Sequence, residues 1–196
     1  IKLEPSGGVI CSVGVTDQGQ GVDTVMGQIA AAALGIPIES IRVIEGDTDA
    51  TPYGGGTYAS RATAIGGEAT YQAARALRAE ILVIAATLLQ ADAAALDIVD
   101  GNVVDAGSET VRISLAEIGR IGHFQVGELP NEIQPILSAT RRFRLTDALY
   151  IFTNGIQGAY LEVDTDTGFI KLLKHWVVED CGRVINPQLA DVQVRG

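Results

Sequence analysis

A chain of 196 residues, 47% hydrophobic and 5% aromatic, can bury a sizeable core, and its composition excludes a disordered polymer. Its 14 Lys and Arg against 24 Asp and Glu leave a net charge of −10, which excludes nonspecific binding to nucleic acid or an anionic membrane. Abundant Ala, Gly, Val and Ile favour a mixed α and β domain over an all-β sandwich.

Charge or glycine interrupts every apolar run well short of the roughly 18–20 residues that span a bilayer. The nearest case is Ile81 to Gln90, so no membrane insertion is expected. No basic stretch precedes an apolar segment at the start, so no signal peptide is read. The chain opens on Ile1 and not Met, as a fragment or processed piece would. Cys11 and Cys181 form neither a CxxC pair nor a disulfide framework, which predicts two reduced thiols in a cytoplasmic protein.

In chain order, Val9 to Val15 is apolar and β-branched and reads as a strand. A Gly19-Gln20-Gly21 loop follows. Val25, Met26, Ile29, Ala30, Ala33 and Leu34 then recur at helical spacing, with Asp23 or Thr24 as N-cap, Gly35 as stop and Pro37 beyond. Ile41 to Glu45 is a short strand that leads into Gly46-Asp47-Thr48-Asp49 and the glycine run Gly54-Gly55-Gly56. From about Thr63 to Gln90 a long helix is predicted, its first turn delayed or kinked by Gly66-Gly67. Leu96 to Val99 and Val103 to Asp105 flank Asp100-Gly101-Asn102, a hairpin signal. Val111 to Ile113 adds a strand, and Ser114 with Glu117 forms a capping box for a helix over Leu115 to Ile121. Gly122 to Pro135 reads as loop, and a boundary between two subdomains is expected within about 91–135.

The last third reads as β-rich: Leu137 to Leu145 alternates basic and apolar residues, and Gly158 to Val163 and Phe169 to Val178 flank Asp164 to Gly168. That acidic turn lacks the spacing and terminal glutamate of a calcium loop, and a hairpin turn built on Asx hydrogen bonds is expected. Glu179 to Pro187 is a polar loop feeding a helix from Gln188 or Leu189 onward.

The glycine loops carry the chemistry. Glycines let backbone approach a ligand closely, and Thr57, Ser60 and Thr63 stand where a helix starts, a position that favours an anion. The Gly19 to Thr24 loop is a second start of the same kind. A phosphorylated ligand is one reading; hydroxyls that merely cap the helices are the other. A nicotinamide-type fingerprint fails at Thr24, where Gly or Ala should stand, and no alternating βαβ pattern follows. No Gly-Lys-Ser/Thr occurs, so a P-loop is excluded. His123 and His175 lie far apart, without a second ligand at metal spacing. Glu45, Asp47, Asp49, Glu179 and Asp180 adjoin the glycine segments and suit either acid–base work or backbone hydrogen bonding. Two hydroxyl-bearing glycine loops without a protein nucleophile or metal site fit a phosphorylated cofactor that carries its own reactive centre.

Three blocks carry a family likeness: Gly19-Gln20-Gly21-x-x-Thr24; Gly46-Asp47-Thr48-Asp49-x-x-Pro52-Tyr53-Gly54-x-Gly56-Thr57-Tyr58-Ala59-Ser60-Arg61; and Asp180-Cys181-Gly182-x-x-Ile185-Asn186-Pro187 to Gln193. Gly158-Ala159-Tyr160-x-Glu162-Val163-Asp164 with Thr167-Gly168 adds to it. Together they resemble the molybdopterin-binding region of the xanthine dehydrogenase and aldehyde oxidase family, nearest the bacterial carbon monoxide dehydrogenase large-subunit branch. The resemblance implies an α+β fold of mixed and antiparallel sheets with a long packed helix, and a chain that is part of a molybdopterin-binding domain throughout 1–196. It implies molybdopterin cytosine dinucleotide as cofactor, 2Fe-2S clusters and FAD on other domains or subunits, and water-derived hydroxylation of a small molecule such as an aldehyde, N-heterocycle or CO.

Carried over residue by residue, Gln20 and Gly21 stand near the molybdenum or pterin, Thr57, Tyr58, Ala59 and Ser60 line the cofactor, and Gln193 contacts the pterin. Ala62 replaces a serine common in the family. The family's upstream segment with phenylalanine and arginine, and its base glutamate beyond Gly196, are outside this sequence, so no catalytic residue is expected in the chain and it should be inactive alone. Two other classes stay open at this point: a non-catalytic structural or assembly module, and a different dinucleotide-binding oxidoreductase with a parallel sheet and NAD or FAD at Gly19 to Thr24.

Overall fold

A computed structural model describes residues 1–146 and 151–196. The chain divides into two compact units, Ile1–Thr146 and Asp147–Gly196.

The first unit starts as a three-stranded sheet of order β1-β2-β3, made of β1 (Lys2–Leu3), β2 (Val9–Ser12) and β3 (Ile41–Ile44). β1 is antiparallel to β2, whereas β2 and β3 are parallel, in register from Val9↔Ile41 to Ser12↔Ile44. Parallel neighbours need a crossover, and α1 (Val22–Leu34) provides it. Its buried stripe of Val25, Met26, Ala30, Ala33 and Leu34 is the predicted one, and Gly35 ends it in the left-handed conformation. The strand read as Val9 to Val15 stops at Ser12, because β3 passes beside it only that far. The helix also starts earlier than Asp23 or Thr24 as N-cap would allow: Gly21 is the cap residue, and the reason lies at the site described below.

The long helix is present but begins irregularly. Residues Ala62–Gly67 form a π-helical turn that continues into α2 (Glu68–Leu89). Gly67 lacks a Cβ where one would meet Ile29 Cδ1 at 2.8 Å, so the wide turn lets α2 approach α1 closely. β4 (Leu96–Val99) and β5 (Asn102–Asp105) form the predicted hairpin, its turn made by Asp100 and Gly101, both at positive φ as a tight two-residue connection requires. β6 (Val111–Ser114) completes an antiparallel sheet of order β4-β5-β6. Ser114 caps α3 (Leu115–Phe124) by accepting from the Glu117 N–H. The reciprocal half of the expected capping box is absent, since the Glu117 carboxylate pairs with Arg120. α3 also runs past Ile121 into residues read as loop, because Ile118 and Ile121 keep its apolar face on the core.

The core gathers Leu3 and Val9 of the first sheet, Leu34 of α1, Leu77, Ile81 and Ile84 of α2, Ile98 and Val103 of the hairpin, and Leu115 and Ile118 of α3. An ion pair between Arg78 and Asp97 ties α2 to β4 at its margin. The alternating segment 137–145 forms no extended strand with its neighbours beyond a single bridge from Ser138 to Lys2; Leu137 fills the core beside it. His123 Nε2 donates to the Leu3 carbonyl, 2.9 Å away, a packing role.

The second unit is a long antiparallel ribbon of β7 (Asn154–Val163) and β8 (Ile170–Asp180), followed by α4 (Pro187–Arg195). The connecting turn is the predicted Asx structure, with the Asp164 carboxylate accepting from the N–H groups of Asp166 and Thr167. Asn186 caps α4 by accepting from Leu189 N, and Pro187 occupies its first turn.

The observed class is the expected α+β arrangement of mixed and antiparallel sheets with a long packed helix. Among the described residues no helix is long and apolar enough to cross a membrane.

Candidate functional site

Both glycine loops of the first unit leave the same edge of its first sheet. β2 hands the chain to Val13, whose N–H extends the ladder by one bond to the Ile44 carbonyl, and β3 hands it to Glu45. The first loop (residues 16–21) and the second (residues 46–61) therefore start side by side.

Three contacts lock them together. Thr57 Oγ1 accepts from Thr16 N at 2.8 Å and donates to Thr16 O at 2.7 Å, so one hydroxyl satisfies both backbone groups of one residue. Gln18 Nε2 reaches Thr57 O at 3.5 Å. Gly14 and Gly54 cross backbone to backbone: a Cβ on Gly14 would lie 2.5 Å from Gly54 Cα, and one on Gly54 would lie 2.2 Å from Gly14 O. Only glycine fits on either side of that crossing.

The start of α1 is closed by the protein itself. Asp17 Oδ1 accepts from Gly21 N at 2.8 Å and Val22 N at 3.0 Å. Those bonds, the one to Val22 foremost, hold the Asp17 carboxyl below its ordinary pKa. A carboxylate thus occupies the place an external anion would take, a correction to the reading of this terminus as anion-ready. It also accounts for the early helix start. The dinucleotide alternative meets the same obstacle: β2-α1-β3 is a single parallel βαβ unit, but Asp17 stands where a pyrophosphate would sit.

The second loop is open. Gly55, Gly56, Ala59 and Ser60 all have positive φ, with Ala59 at 52° and Ser60 at 54°. Such conformations cost non-glycine residues about 1–3 kcal/mol, and they gather at ligand sites. Arg61 braces the loop, donating from Nη1 to Gly56 O at 3.3 Å and lying 5.1 Å from the centre of the Tyr58 ring. The N–H groups of Tyr58, Ala59 and Ser60 have no partner among the described residues. No side chain caps the π turn at Ala62.

The expected site residues fall as follows. Gln20 turns its Oε1 back to accept from Gln18 N at 2.6 Å, which leaves the Nε2 amide as its free donor. Gly21 spends its N–H on Asp17. The Thr57 hydroxyl is committed to Thr16, so Thr57 offers a ligand backbone only. Tyr58, Ala59 and Ser60 are exposed, Tyr58 by 63%. These six residues share one edge of the first unit. Gln193 stands exposed on α4 of the second unit.

Among the neighbouring carboxylates, Asp47 accepts from Asp49 N and Ala50 N, and Asp180 from Gly182 N, both as local turns. Glu45 Oε1 accepts from Asp17 N at 2.9 Å, and burial, followed by the negative charges of Asp17 and Asp23, pushes its carboxyl up. Among the described residues no three His, Cys, Asp or Glu side chains converge as a metal site. Both cysteines are free, Cys11 buried and Cys181 exposed.

Sequence reasoning missed Gly14, Thr16 and Asp17. Gly14 carries no motif of its own, and only the crossing with Gly54 explains it. Asp17 was legible in principle, as an acidic residue four positions ahead of a glycine that opens a helix.

The arrangement fits an anionic heterocyclic cofactor: free backbone donors, an amide side chain, and open space at Gly19 and Gly56, where an added Cβ would meet nothing within 4 Å. The molybdopterin cofactor-binding domain family matches residues 1–196, and the chain belongs to that family. It is 35% identical over 196 residues to the nicotine 6-hydroxylase large subunit of Paenarthrobacter nicotinovorans and 36% identical over 200 residues to the carbon monoxide dehydrogenase large chain of Afipia carboxidovorans. All of this chain is covered in both cases, but only 24% of each relative. Among solved structures, quinoline 2-oxidoreductase from Pseudomonas putida 86 superposes with a TM-score of 0.88 at 32% identity, covering 99% of this chain and 24% of that one. The Cu,Mo-CO dehydrogenase superposes at 0.83 with 33% identity and the same coverage. The chain spans about a quarter of the length of these relatives.

Proposed function

We propose that this chain is the part of a molybdenum hydroxylase large subunit that cradles molybdopterin, in its cytosine dinucleotide form, for oxidation of a small aldehyde, N-heterocycle or CO-like substrate. When bound, the cofactor supplies molybdenum held by the pterin dithiolene, which moves a water-derived oxygen onto substrate carbon. The chain's own residues bind and orient. Gln20 Nε2 donates to an acceptor on the cofactor's metal or pterin end. The N–H groups of Tyr58, Ala59 and Ser60 donate to its anionic oxygens.

The observation that carries this reading is the tying of the Gln20 loop to the Tyr58–Ser60 loop by the Thr57 hydroxyl on Thr16, which fixes two donor sets at one edge. Fixed donors lose no further freedom when the cofactor arrives. No residue of the chain is assigned to proton transfer at the substrate. 2Fe-2S clusters and FAD would lie on other domains or subunits of a cytoplasmic complex and would supply the electron acceptors, and the isolated chain is inactive.

The test is molybdenum and released cytidine monophosphate, measured per chain in the native assembled protein. Near-stoichiometric amounts of both are expected, and Gln20→Leu should lower both. Molybdenum without cytidine monophosphate would restrict the claim to plain molybdopterin. Neither in the assembled protein would sink it in favour of a structural module.

A further inference from the structure

Residues 16 and 17 are held from two directions. Thr57 clamps Thr16, and Glu45 clamps Asp17 by accepting its N–H. Asp17 in turn reaches across the first loop with its carboxylate to Gly21 N and Val22 N. The contacts therefore run in series: the end of β3, Glu45, Asp17, then the Gln20-Gly21 turn.

Glu45 is an unusual choice for such a task. Its Oε2 is buried with no hydrogen-bond partner among the described residues, a state that proteins avoid because the lost hydration is not returned. A side chain serving only the surface would turn that oxygen to water. Here the carboxyl group is drawn inward so that Oε1 meets Asp17 N at 2.9 Å. The parallel register explains how it gets there: Ser12↔Ile44 is the last pair, Val13 N bonds Ile44 O, and Glu45, the residue just after β3, points its carboxyl at the backbone that has left β2.

We propose that Glu45 is a positioning residue for the Gln20-Gly21 turn, acting through Asp17. The proposal rests on the reading that Gln20 contacts the cofactor. Glu45 does not touch the ligand; it sets where Asp17 stands, and Asp17 sets where the turn and the Gln20 amide stand. Reach and acceptor capacity are what it contributes, so Gln should replace it and Asp, one methylene shorter, should not.

The experiment uses the assembled native protein with Glu45→Ala, Glu45→Asp, Glu45→Gln and Gln20→Leu. Hydrogen–deuterium exchange is read over residues 17–24, and molybdenum per chain is measured after prolonged dialysis. Glu45→Ala and Glu45→Asp should speed exchange of this segment roughly fivefold, the factor carried by one ordinary hydrogen bond, and lose molybdenum faster than the parent. Glu45→Gln should restore both. If Glu45→Ala does not assemble, Glu45→Asp against Glu45→Gln decides. Unchanged exchange in Glu45→Asp, or failure of Glu45→Gln to restore, overturns the proposal. Gln20→Leu separates the two claims. Full molybdenum retention there refutes the contact assigned to Gln20, while faster exchange in Glu45→Asp still supports the tether.

Discussion

Substituting Gly14 by alanine isolates the crossing that seats the glycine loop. The new Cβ would lie 2.5 Å from Gly54 Cα, Gly54 N and Pro52 O. Carbon contacts settle near 3.5–4 Å, so the loop must retreat by about 1 Å. Overpacking against backbone costs about 1–3 kcal/mol. The retreat also breaks the paired Thr57–Thr16 hydrogen bonds, at about 1 kcal/mol each. Against this, alanine at a glycine without positive φ returns about 0.4–1 kcal/mol by restricting the unfolded chain. The net loss is about 2–4 kcal/mol, which lowers the midpoint of thermal unfolding by roughly 5–15 °C for a chain of this size. Far-UV circular dichroism melts read it directly. Gly107 has open space around it and no positive φ, so Gly107→Ala is the control and should melt at or slightly above the parent. Gly54→Ala should cost a similar amount, and the double variant less than the sum, because both probe one contact. A Gly14→Ala midpoint within about 2 °C of the parent would refute the crossing as a rigid element.

Other expectations concern the core, the caps and acid behaviour. Leu77 is fully buried in the middle of α2, so Leu77→Ala should cost about 2–5 kcal/mol in chemical denaturation, and a loss below 1 kcal/mol would mean that the helix repacks freely. Ser114→Ala removes the acceptor for Glu117 N and should cost about 1 kcal/mol, whereas Ser114→Asp should retain most of it. Asp17 and Glu45 titrate with opposite consequences. The Asp17 carboxyl is held low in the fold, so its contribution is present above the unfolded-state pKa and lost as pH falls through the folded value. The Glu45 carboxyl is held high, so its contribution is full below the unfolded-state pKa and lost as pH rises through the folded value. Denaturation of Glu45→Gln should therefore show a gain over the parent at neutral pH that vanishes in acid. A gain that grows toward acid would contradict the sign of the shift.

Local signals in the chain were sufficient for most elements. Periodicity placed α1 and the long helix, Asp100-Gly101 announced the hairpin, and Asp164 and Ser114 announced a turn and a cap, because each depends on residues within a few positions of one another. The three motif blocks likewise marked the family, which matches the whole chain. What the tertiary structure alone decided is how those residues are spent. Asp17 fills the start of α1, Thr57 turns its hydroxyl to Thr16, and Glu45 anchors a loop 28 residues earlier in the chain. Gly14 is needed because Gly54 crosses it. Each of these outcomes depends on β2 and β3 lying parallel and delivering two distant loops to one edge, and a pairing between segments that far apart leaves no periodic trace in the sequence.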